Sequence, residues 1–192
     1  MASVTSRINP VNAPQSNSRL SALRAYLDGL TGRPPLDELL EQIEKASLTI
    51  EDVQPWIRFS EVGYSRNLLW EGEHYEALVL CWKCGQHSPI HDHAGSICGL
   101  TILQGKATET LYEEMPCGVV APLSSGSKTA GECCSSQDSD THVISNYEAE
   151  EALVTLHIYI PKLGNIGIFD AEGRKSEGRL ARFLGFTDGD GI

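Results

Sequence analysis

The chain has 192 residues, of which 41% are hydrophobic and 21% are charged, as in a globular protein large enough for one buried core. Its formal net charge of −11 disfavours binding to the phosphate backbone of nucleic acids or to anionic membrane surfaces. No apolar run approaches the ~20 residues of a transmembrane helix. The start of the sequence also lacks the apolar core of a signal peptide. We therefore expect a cytoplasmic protein that binds neither nucleic acid nor membrane.

Three short helices are predicted after a first segment, residues 1–17, that we expect to be disordered. Leucines recur at helical spacing in "SRLSALRAYLDGL" and in "PPLDELLEQIEKAS". Thr49 and Asp52 form a capping-box pattern that begins a third helix, and Pro55 would fit this helix only near its start. These amphipathic helices predict a helical cover over residues 18–58.

From Trp56 onward the pattern changes to short apolar or alternating runs separated by Gly, Ser, Asn and Asp. Many short strands with turn residues between them predict a sandwich or barrel. We find no internal repeat or linker, and therefore expect one domain over residues 18–192, with its β-barrel over residues 59–192. The predicted strands are "NLLWEG", "HYEALVLCWK", "ICGLTILQG", "ATETLYEEM", "GVVAPL", "THVISNY", "ALVTLHIYI" and "NIGIFDAEG".

The six cysteines are expected to be reduced thiols, because no secretory signal is evident. Cys81 and Cys84 form a CxxC pair within a predicted strand, on which residues three apart point to opposite faces. No second such pair is present, so a zinc ribbon is disfavoured. Cys133 and Cys134 lie in a serine-rich stretch, where we expect solvent-exposed hairpin residues.

A histidine pair in "SPIHDHAGSICGLTILQG" is the first candidate for chemistry. On a strand His91 and His93 share one face, so both imidazoles can reach a single ion, although the same pattern also occurs on exposed strands. Cys98 follows His93 at an odd separation, so the intervening "AGS" turn must re-aim its side chain. His142, in the predicted strand "THVISNY", is a third candidate ligand.

This layout resembles the cupin superfamily, whose first motif reads glycine, five residues, H-x-H, three or four residues, glutamate, six residues, glycine. The stretch from Gly85 to Gly105 fits this motif, except that Cys98 stands in place of the glutamate. The second motif is partly present, with His142 and Asn146 but without the preceding Pro-x-Gly. The resemblance implies a mainly β fold, a cupin-type and jelly-roll-like barrel.

The site would then hold its metal with three neutral histidines and no carboxylate. Three histidines suit Zn, Fe, Cu or Ni by ligand type, whereas most mononuclear Fe(II) oxygenases use two histidines and one carboxylate. Fe(II) with three neutral ligands keeps both positive charges. Such a site favours an anionic ligand from the substrate. A thiolate, which is a soft anionic ligand, is the candidate.

The predicted strand "ALVTLHIYI" carries a row of polar side chains on one face, Thr155, His157 and Tyr159, and apolar side chains on the other. A hydroxyl, an imidazole and a phenol in a row can form a hydrogen-bond chain. The alternative is a solvent-exposed polar face, which is common in antiparallel sheets.

More than half of the chain, from about residue 63 to residue 170, resembles the cysteine dioxygenase family of thiol dioxygenases. The resemblance rests on H-x-H-x4-C, a distal histidine and an L-H-x-Y-x-P strand. The stretches that carry it are "YSRNL", "LCW", "SPIHDHAGSIC", "LQGKATETLYE", "HVISN" and "LHIYIP".

By this resemblance, His91, His93 and His142 would hold Fe(II). Arg66 would bind the substrate carboxylate, for which its planar bidentate fork is suited, and Tyr64 would help to position it. An ordinary surface arginine is the alternative for Arg66.

The resemblance also implies that Thr155, His157 and Tyr159 match the family's Ser-His-Tyr hydrogen-bond chain, with threonine in place of serine. Cys98 and Tyr159 match the pair that a thioether crosslink joins in animal members. Many bacterial members have glycine at the cysteine position, so Cys98 indicates the crosslinking type.

The implied activity is the oxidation of L-cysteine by O2 to cysteine sulfinic acid, with the thiolate and amine on Fe(II) and the carboxylate on Arg66. One alternative is a dioxygenase for 3-mercaptopropionate or cysteamine. Dioxygenases for 3-mercaptopropionate usually have glutamine at the position of Arg66, and cysteamine has no carboxylate for an arginine to bind. Arg66 therefore argues against both of these substrates. A second alternative is a non-catalytic metal-binding cupin, against which the row of Thr155, His157 and Tyr159 argues. We expect a monomer.

Overall fold

A computed structural model describes residues 18–137, 140–164 and 166–176. Residues 1–17, for which we predict disorder, lie outside the described residues. The described part begins with two α-helices, α1 (Ser18–Asp28) and α2 (Leu36–Ala46), and a 3-10 helix (Ile50–Trp56).

The helices bury one face each, as their leucine spacing predicts. The residues of α1 and α2 that are buried are Leu20, Leu23, Leu27, Leu39, Ile43 and Ala46. The predicted capping box begins the 3-10 helix, where the Thr49 backbone N–H donates to the Asp52 carboxylate at 2.8 Å. Pro55 lies near the end of this helix rather than near its start, because a short 3-10 helix loses little when one residue lacks its N–H.

Eleven strands follow in the described part of the chain. They are β1 (Ser65–Glu71), β2 (Glu76–Trp82), β3 (Ile90–His91), β4 (Ile97–Gln104), β5 (Lys106–Glu114), β6 (Val120–Thr129), β7 (Cys133–Ser136), β8 (Thr141–Ser145), β9 (Leu153–Ile160), β10 (Ile168–Phe169) and β11 (Lys175–Ser176).

The strands form two antiparallel sheets, in the orders β1-β2-β9-β4-β7 and β11-β10-β3-β8-β5-β6. One hydrophobic cluster fills the space between the helices and the outer face of the first sheet, and includes Leu39, Val79 and Leu156. A second cluster contains residues of both sheets, among them Leu80 and Ile144, and fills the barrel interior. The predicted mainly β, jelly-roll-like barrel with an N-terminal helical cover is confirmed.

The strand predictions differ from the structure in several places. The short strands β3 and β11 were not predicted, and of the predicted strand "NIGIFDAEG" the structure assigns only Ile168–Phe169 to a strand. Two further differences lie where the local composition is polar. The predicted strand "GVVAPL" continues to Thr129, because β5 pairs with it over its whole length. Cys133 and Cys134 belong to strand β7 and are half-buried rather than exposed. β7 pairs with β4, so Cys133 packs toward the helices and Cys134 toward the barrel interior.

Among the residues the structure describes, no helix combines the length and apolar character that crossing a membrane requires.

Candidate active site

Three histidines converge inside the barrel. His91 on β3 lies directly opposite His142 on β8 in the strand register, and His93 follows two residues after His91. All three are buried, and one ligand atom from each lies within 4.8 Å of the others. The strand itself ends at His91, but Asp92 extends the pairing because its backbone N–H donates to Gly167 at 3.0 Å. His93 is thereby held toward its two partners, as the H-x-H spacing predicts.

Hydrogen bonds orient two of the three rings. His91 Nδ1 donates to the Pro89 carbonyl at 3.0 Å, and His142 Nδ1 donates to the Glu109 carboxylate at 2.7 Å. In each ring Nε2 is then the nitrogen with a lone pair for a metal. Within the described part of the chain, neither ring nitrogen of His93 has a partner with hydrogen-bonding geometry, although both are buried. Unsatisfied buried nitrogens of this kind fit a bound metal ion.

Burial keeps the imidazoles of His91 and His93 neutral, which is the form that binds a metal. Burial lowers the pKa of His91 well below its usual value, and the neighbouring His142 lowers it further. Burial and His142 likewise lower the pKa of His93 to about 3. The donor set therefore fits a divalent transition metal such as Fe(II), Zn, Cu or Ni.

Glu109 is a member of the site that the sequence reasoning missed. Its hydrogen bond from His142 is the main reason that the pKa of this carboxyl lies below its usual value, and Lys128 lies 3.5 Å away. The alternation of "ATETLYEE" could have indicated it, because Ala107, Glu109 and Leu111 share the face that points into the barrel.

The turn after His93 re-aims the chain as predicted. Ala94 and Gly95 adopt positive φ values of 46° and 98°, and the Ser96 N–H donates to the His93 carbonyl at 3.0 Å. Cys98 then lies directly opposite Tyr159 in the pairing of β4 with β9. Its thiol contacts the Tyr159 side chain, and burial raises its pKa.

The predicted polar row of β9 forms a continuous hydrogen-bond chain. His157 Nε2 lies 3.0 Å from Thr155 Oγ1, and His157 Nδ1 lies 3.1 Å from Tyr159 Oη. Trp82 Nε1 donates to Thr155 Oγ1 at 3.1 Å. The alternative of a solvent-exposed face is wrong, because β9 is central in its sheet and all eight of its residues are buried.

This chain and the histidine cluster are in contact. The Tyr159 ring lies edge-on to the His93 ring, with 5.5 Å between the ring centroids. Burial raises the pKa of Tyr159 well above its usual value and lowers that of His157 well below. The phenol therefore keeps its proton at neutral pH and can donate a hydrogen bond beside the cluster.

Arg66 and Tyr64 line the other side of Tyr159. The Arg66 side chain is only 3% exposed, so the alternative of an ordinary surface arginine is wrong. Its guanidinium carbon lies 5.7 Å from the centre of the Tyr159 ring. Tyr64 stacks on Trp82, with 4.0 Å between ring centroids, and burial raises its pKa to about 12.

Glu76 is the second site residue that the sequence reasoning missed. It stands opposite Tyr159 in the pairing of β2 with β9, and its Oε1 lies 3.8 Å from Arg66 Nη2. Burial raises the pKa of this carboxyl, whereas the Arg66 charge lowers it.

A two-sheet barrel that encloses three buried, convergent histidines is the arrangement of a metal-binding cupin. The family described as "Cysteine dioxygenase type I" matches residues 37–172, and the chain belongs to this family. The resemblance noted from the sequence is thus confirmed, and it places the chain among the thiol dioxygenases.

Similar proteins support this membership. "Cysteine dioxygenase type 1" of Danio rerio is 32% identical over 144 residues, which are 70% of this chain and 70% of that protein. The protein of the same name from Rattus norvegicus is 32% identical over 119 residues, which are 60% of each. Among solved structures, TT1209 from Thermus thermophilus has a TM-score of 0.50 at 16% identity, and covers 60% of this chain and 99% of that one. This last likeness concerns the fold alone.

Proposed function

We propose that the protein is an iron-dependent thiol dioxygenase that oxidises L-cysteine with O2 to cysteine sulfinic acid. The thiol and O2 together supply all the atoms of the sulfinic acid, so no other co-substrate is needed. The observation that carries the proposal is the contact of Tyr159 with three groups: the histidine cluster through His93, the hydrogen-bond chain through His157, and Arg66.

His91, His93 and His142 would hold Fe(II), which supplies a binding position for a thiolate and for O2. The three ligands carry no charge, which favours an anionic sulfur ligand. Glu109 contributes by orienting His142 through the 2.7 Å hydrogen bond, so that the ring presents Nε2 to the interior.

Arg66 would bind the substrate carboxylate. A buried guanidinium presents several N–H groups in one plane, and charge-assisted hydrogen bonds are stronger where water is excluded. Tyr64 would support this position, because its stacking on Trp82 fixes its ring beside Arg66. A thiol with a carboxylate at a fixed distance from sulfur would then be oriented for reaction.

The chain of Thr155, His157 and Tyr159 would direct one proton into the pocket. Trp82 donates to Thr155, and the threonine hydroxyl can then donate to His157 Nε2. Neutral His157 would donate its Nδ1–H to Tyr159, which frees the phenol proton for the substrate or O2. Cys98 would fix the Tyr159 ring through a thioether crosslink.

A thiol panel tests the proposal. O2 uptake by the Fe(II)-loaded protein is measured with L-cysteine, 3-mercaptopropionate and cysteamine, and the products are identified by mass spectrometry. We expect the largest kcat/KM with L-cysteine and a product heavier by two oxygen atoms. Preferred oxidation of another thiol would assign a different substrate, and metal binding without O2 uptake would indicate a non-catalytic cupin. The monomeric state and cytoplasmic location stay predictions.

A further inference from the structure

Asp92 is the residue between His91 and His93, and the proposed reaction gives its side chain no role. Its carboxylate is largely shielded from solvent, with 18% of the side chain exposed. One oxygen, Oδ1, accepts two backbone hydrogen bonds, from the Gly167 N–H at 2.7 Å and from the Ala94 N–H at 3.1 Å. Ala94 begins the turn that follows His93, whereas Gly167 lies far along the chain. A single acid therefore ties this turn to a distant segment of the barrel.

Gly167 belongs to a segment that is packed into the barrel. Gly167 and its neighbours Ile166 and Ile168 are all buried. Ile168 stands directly opposite His91 in the pairing of β10 with β3. Ile166 is a member of the same buried cluster as Tyr159. The segment is thus a firm anchor, because strand pairing and apolar packing both hold it in place.

The carboxylate of Asp92 fits closely against the Gly167 backbone. A Cβ added at Gly167 would lie 2.1 Å from Asp92 Oδ2, so only a residue without a side chain leaves room for the acid. Lys175 Nζ lies 3.7 Å from the same oxygen, but the lysine side chain is 66% exposed and the ion pair is screened by solvent. The two charge-assisted hydrogen bonds from backbone N–H groups, rather than the ion pair, therefore hold the turn.

We propose that Asp92 is a positioning residue for the metal centre, because its carboxylate holds the turn after His93 and so fixes this ring relative to the other two. His93 depends on such support more than its partners do. Hydrogen bonds from Nδ1 orient His91 and His142, whereas among the described residues neither ring nitrogen of His93 has a partner with hydrogen-bonding geometry. The backbone must therefore set the direction of the His93 ring. This role rests on the proposed function, in which the three histidines hold the metal.

Co(II) is the probe, because its visible absorption depends on the arrangement of its ligands and its binding needs neither thiol nor O2. The dissociation constant is measured by competition with a chromophoric chelator, and the absorption spectrum of the loaded protein is recorded. Asp92→Ala removes the acceptor, so we expect a dissociation constant at least about tenfold higher and a changed spectrum. Asp92→Asn keeps an oxygen for both N–H groups and should retain the wild-type spectrum, with an affinity within about threefold of wild type.

Asp170→Ala is the matched control. Asp170 Oδ1 also accepts two backbone hydrogen bonds, from the Glu172 N–H at 3.0 Å and the Arg174 N–H at 2.9 Å, but it bonds a turn that carries no histidine. Its loss should leave the Co(II) affinity within about twofold of wild type, since it supports no ligand. Equal losses of affinity in Asp92→Ala and Asp170→Ala would overturn the proposal, because a merely structural role gives that result.

Gly167→Ala displaces the carboxylate from the other side and should reproduce the lower affinity and the changed spectrum. It takes the place of Asp92→Ala if that variant does not fold. Wild-type affinity and spectrum in the variant measured would refute the role of Asp92 alone. If the wild-type protein binds no Co(II), the proposed three-histidine centre fails and the role of Asp92 fails with it. If it binds Co(II) but oxidises no thiol when loaded with Fe(II), the proposed function fails, while the Co(II) affinities still decide the role of Asp92.

Discussion

His142 Nδ1 lies 2.7 Å from the Glu109 carboxylate, so a buried acid on β5 determines which nitrogen of a candidate ligand faces the barrel interior. Lys128 stands 3.5 Å from the same carboxyl group and offsets its charge. The sequence offers no carboxylate ligand at the usual cupin position, where Cys98 stands. The Glu109 carboxylate nevertheless supports the histidine cluster indirectly, because it accepts a hydrogen bond from His142 on the side of the ring away from the other two histidines.

Glu109→Gln should weaken Fe(II) binding by about 10- to 100-fold, since hydrogen-bond partners of ligating histidines typically contribute that much. The amide is a weaker acceptor for the Nδ1–H and permits the wrong tautomer. Glu113→Gln, at an exposed position of the same strand, is the matched control. Affinity is measured by competition with a chromophoric chelator. Equal affinities of the two variants would mean that Glu109 does not support the ligand.

Arg66→Ala should raise the KM for L-cysteine by at least about 30-fold, because it removes charge-assisted hydrogen bonds to the carboxylate. The Fe(II) content should stay the same, since the three histidines alone would hold the metal and the Arg66 guanidinium lies beside Tyr159 and Glu76. Cysteamine is the matched probe, because it lacks the carboxylate. Its affinity should change far less than that of L-cysteine. Unchanged L-cysteine kinetics would contradict the assignment of Arg66.

The metal-free protein should lose stability as the pH falls from 7 to 5. His157 is buried without charge, so its folded pKa lies well below the unfolded value of about 6.5. Below that value the unfolded chain binds a proton that the folded chain does not. Above about pH 6.5 this difference in proton binding vanishes, and the free energy of unfolding has its full value. Below about pH 6.5, each histidine that is buried without charge lowers the free energy of unfolding by up to about 1.4 kcal/mol per pH unit.

The measurement is urea unfolding at pH 7, 6 and 5 with a chelator present. His157→Gln should show a shallower decline than the wild-type protein, because it removes one of these protonation differences. His87→Gln, at an exposed position, serves as the control for exchanging a histidine for glutamine outside the buried cluster. A wild-type slope in His157→Gln would show that His157 is protonated in the folded protein.

Much of the candidate site could be predicted because it follows local rules. The two-residue period places His91 and His93 on the same face of the strand. The glycine that ends the cupin motif, Gly105, is required by the local backbone. Gly105 has a φ of 79°, and a Cβ there would lie 2.7 Å from the Ala152 carbonyl oxygen. Only glycine tolerates both conditions. The side chains of the L-H-x-Y strand follow the same period, which brings Thr155, His157 and Tyr159 to one face.

Glu76 and Glu109 could not be predicted with the same reasoning. An acidic residue on an alternating strand has the same local pattern whether it faces solvent or the barrel interior. Only the long-range pairing decides, and it places Glu76 opposite Tyr159 and Glu109 beside His142. The half-buried position of Cys134 has the same cause, because β7 is defined by its pairing with β4 rather than by its polar composition.

Cys98 and Tyr159 are the pair for which we predict a thioether crosslink. They are opposite partners on β4 and β9, with exposed fractions of 3% and 2%, and the thiol contacts the tyrosine side chain. Joining the sulfur to a ring carbon removes one hydrogen from the thiol and one from the ring, with O2 as the oxidant. The joined ring could no longer turn away from His157 or Arg66.

After aerobic turnover with Fe(II) and L-cysteine, the intact mass should fall by two hydrogens and should not be restored by a disulfide reductant. Cys98→Ser should abolish this loss without changing the Fe(II) content. Cys134→Ser is the matched control, since Cys134 and Cys98 line the same cavity of about 160 Å³ beside His157. Loss of the mass change in Cys134→Ser instead would mean that the linkage involves a different pair. If the mass never changes, Cys98 acts through packing against Tyr159, and the three-histidine centre is unaffected.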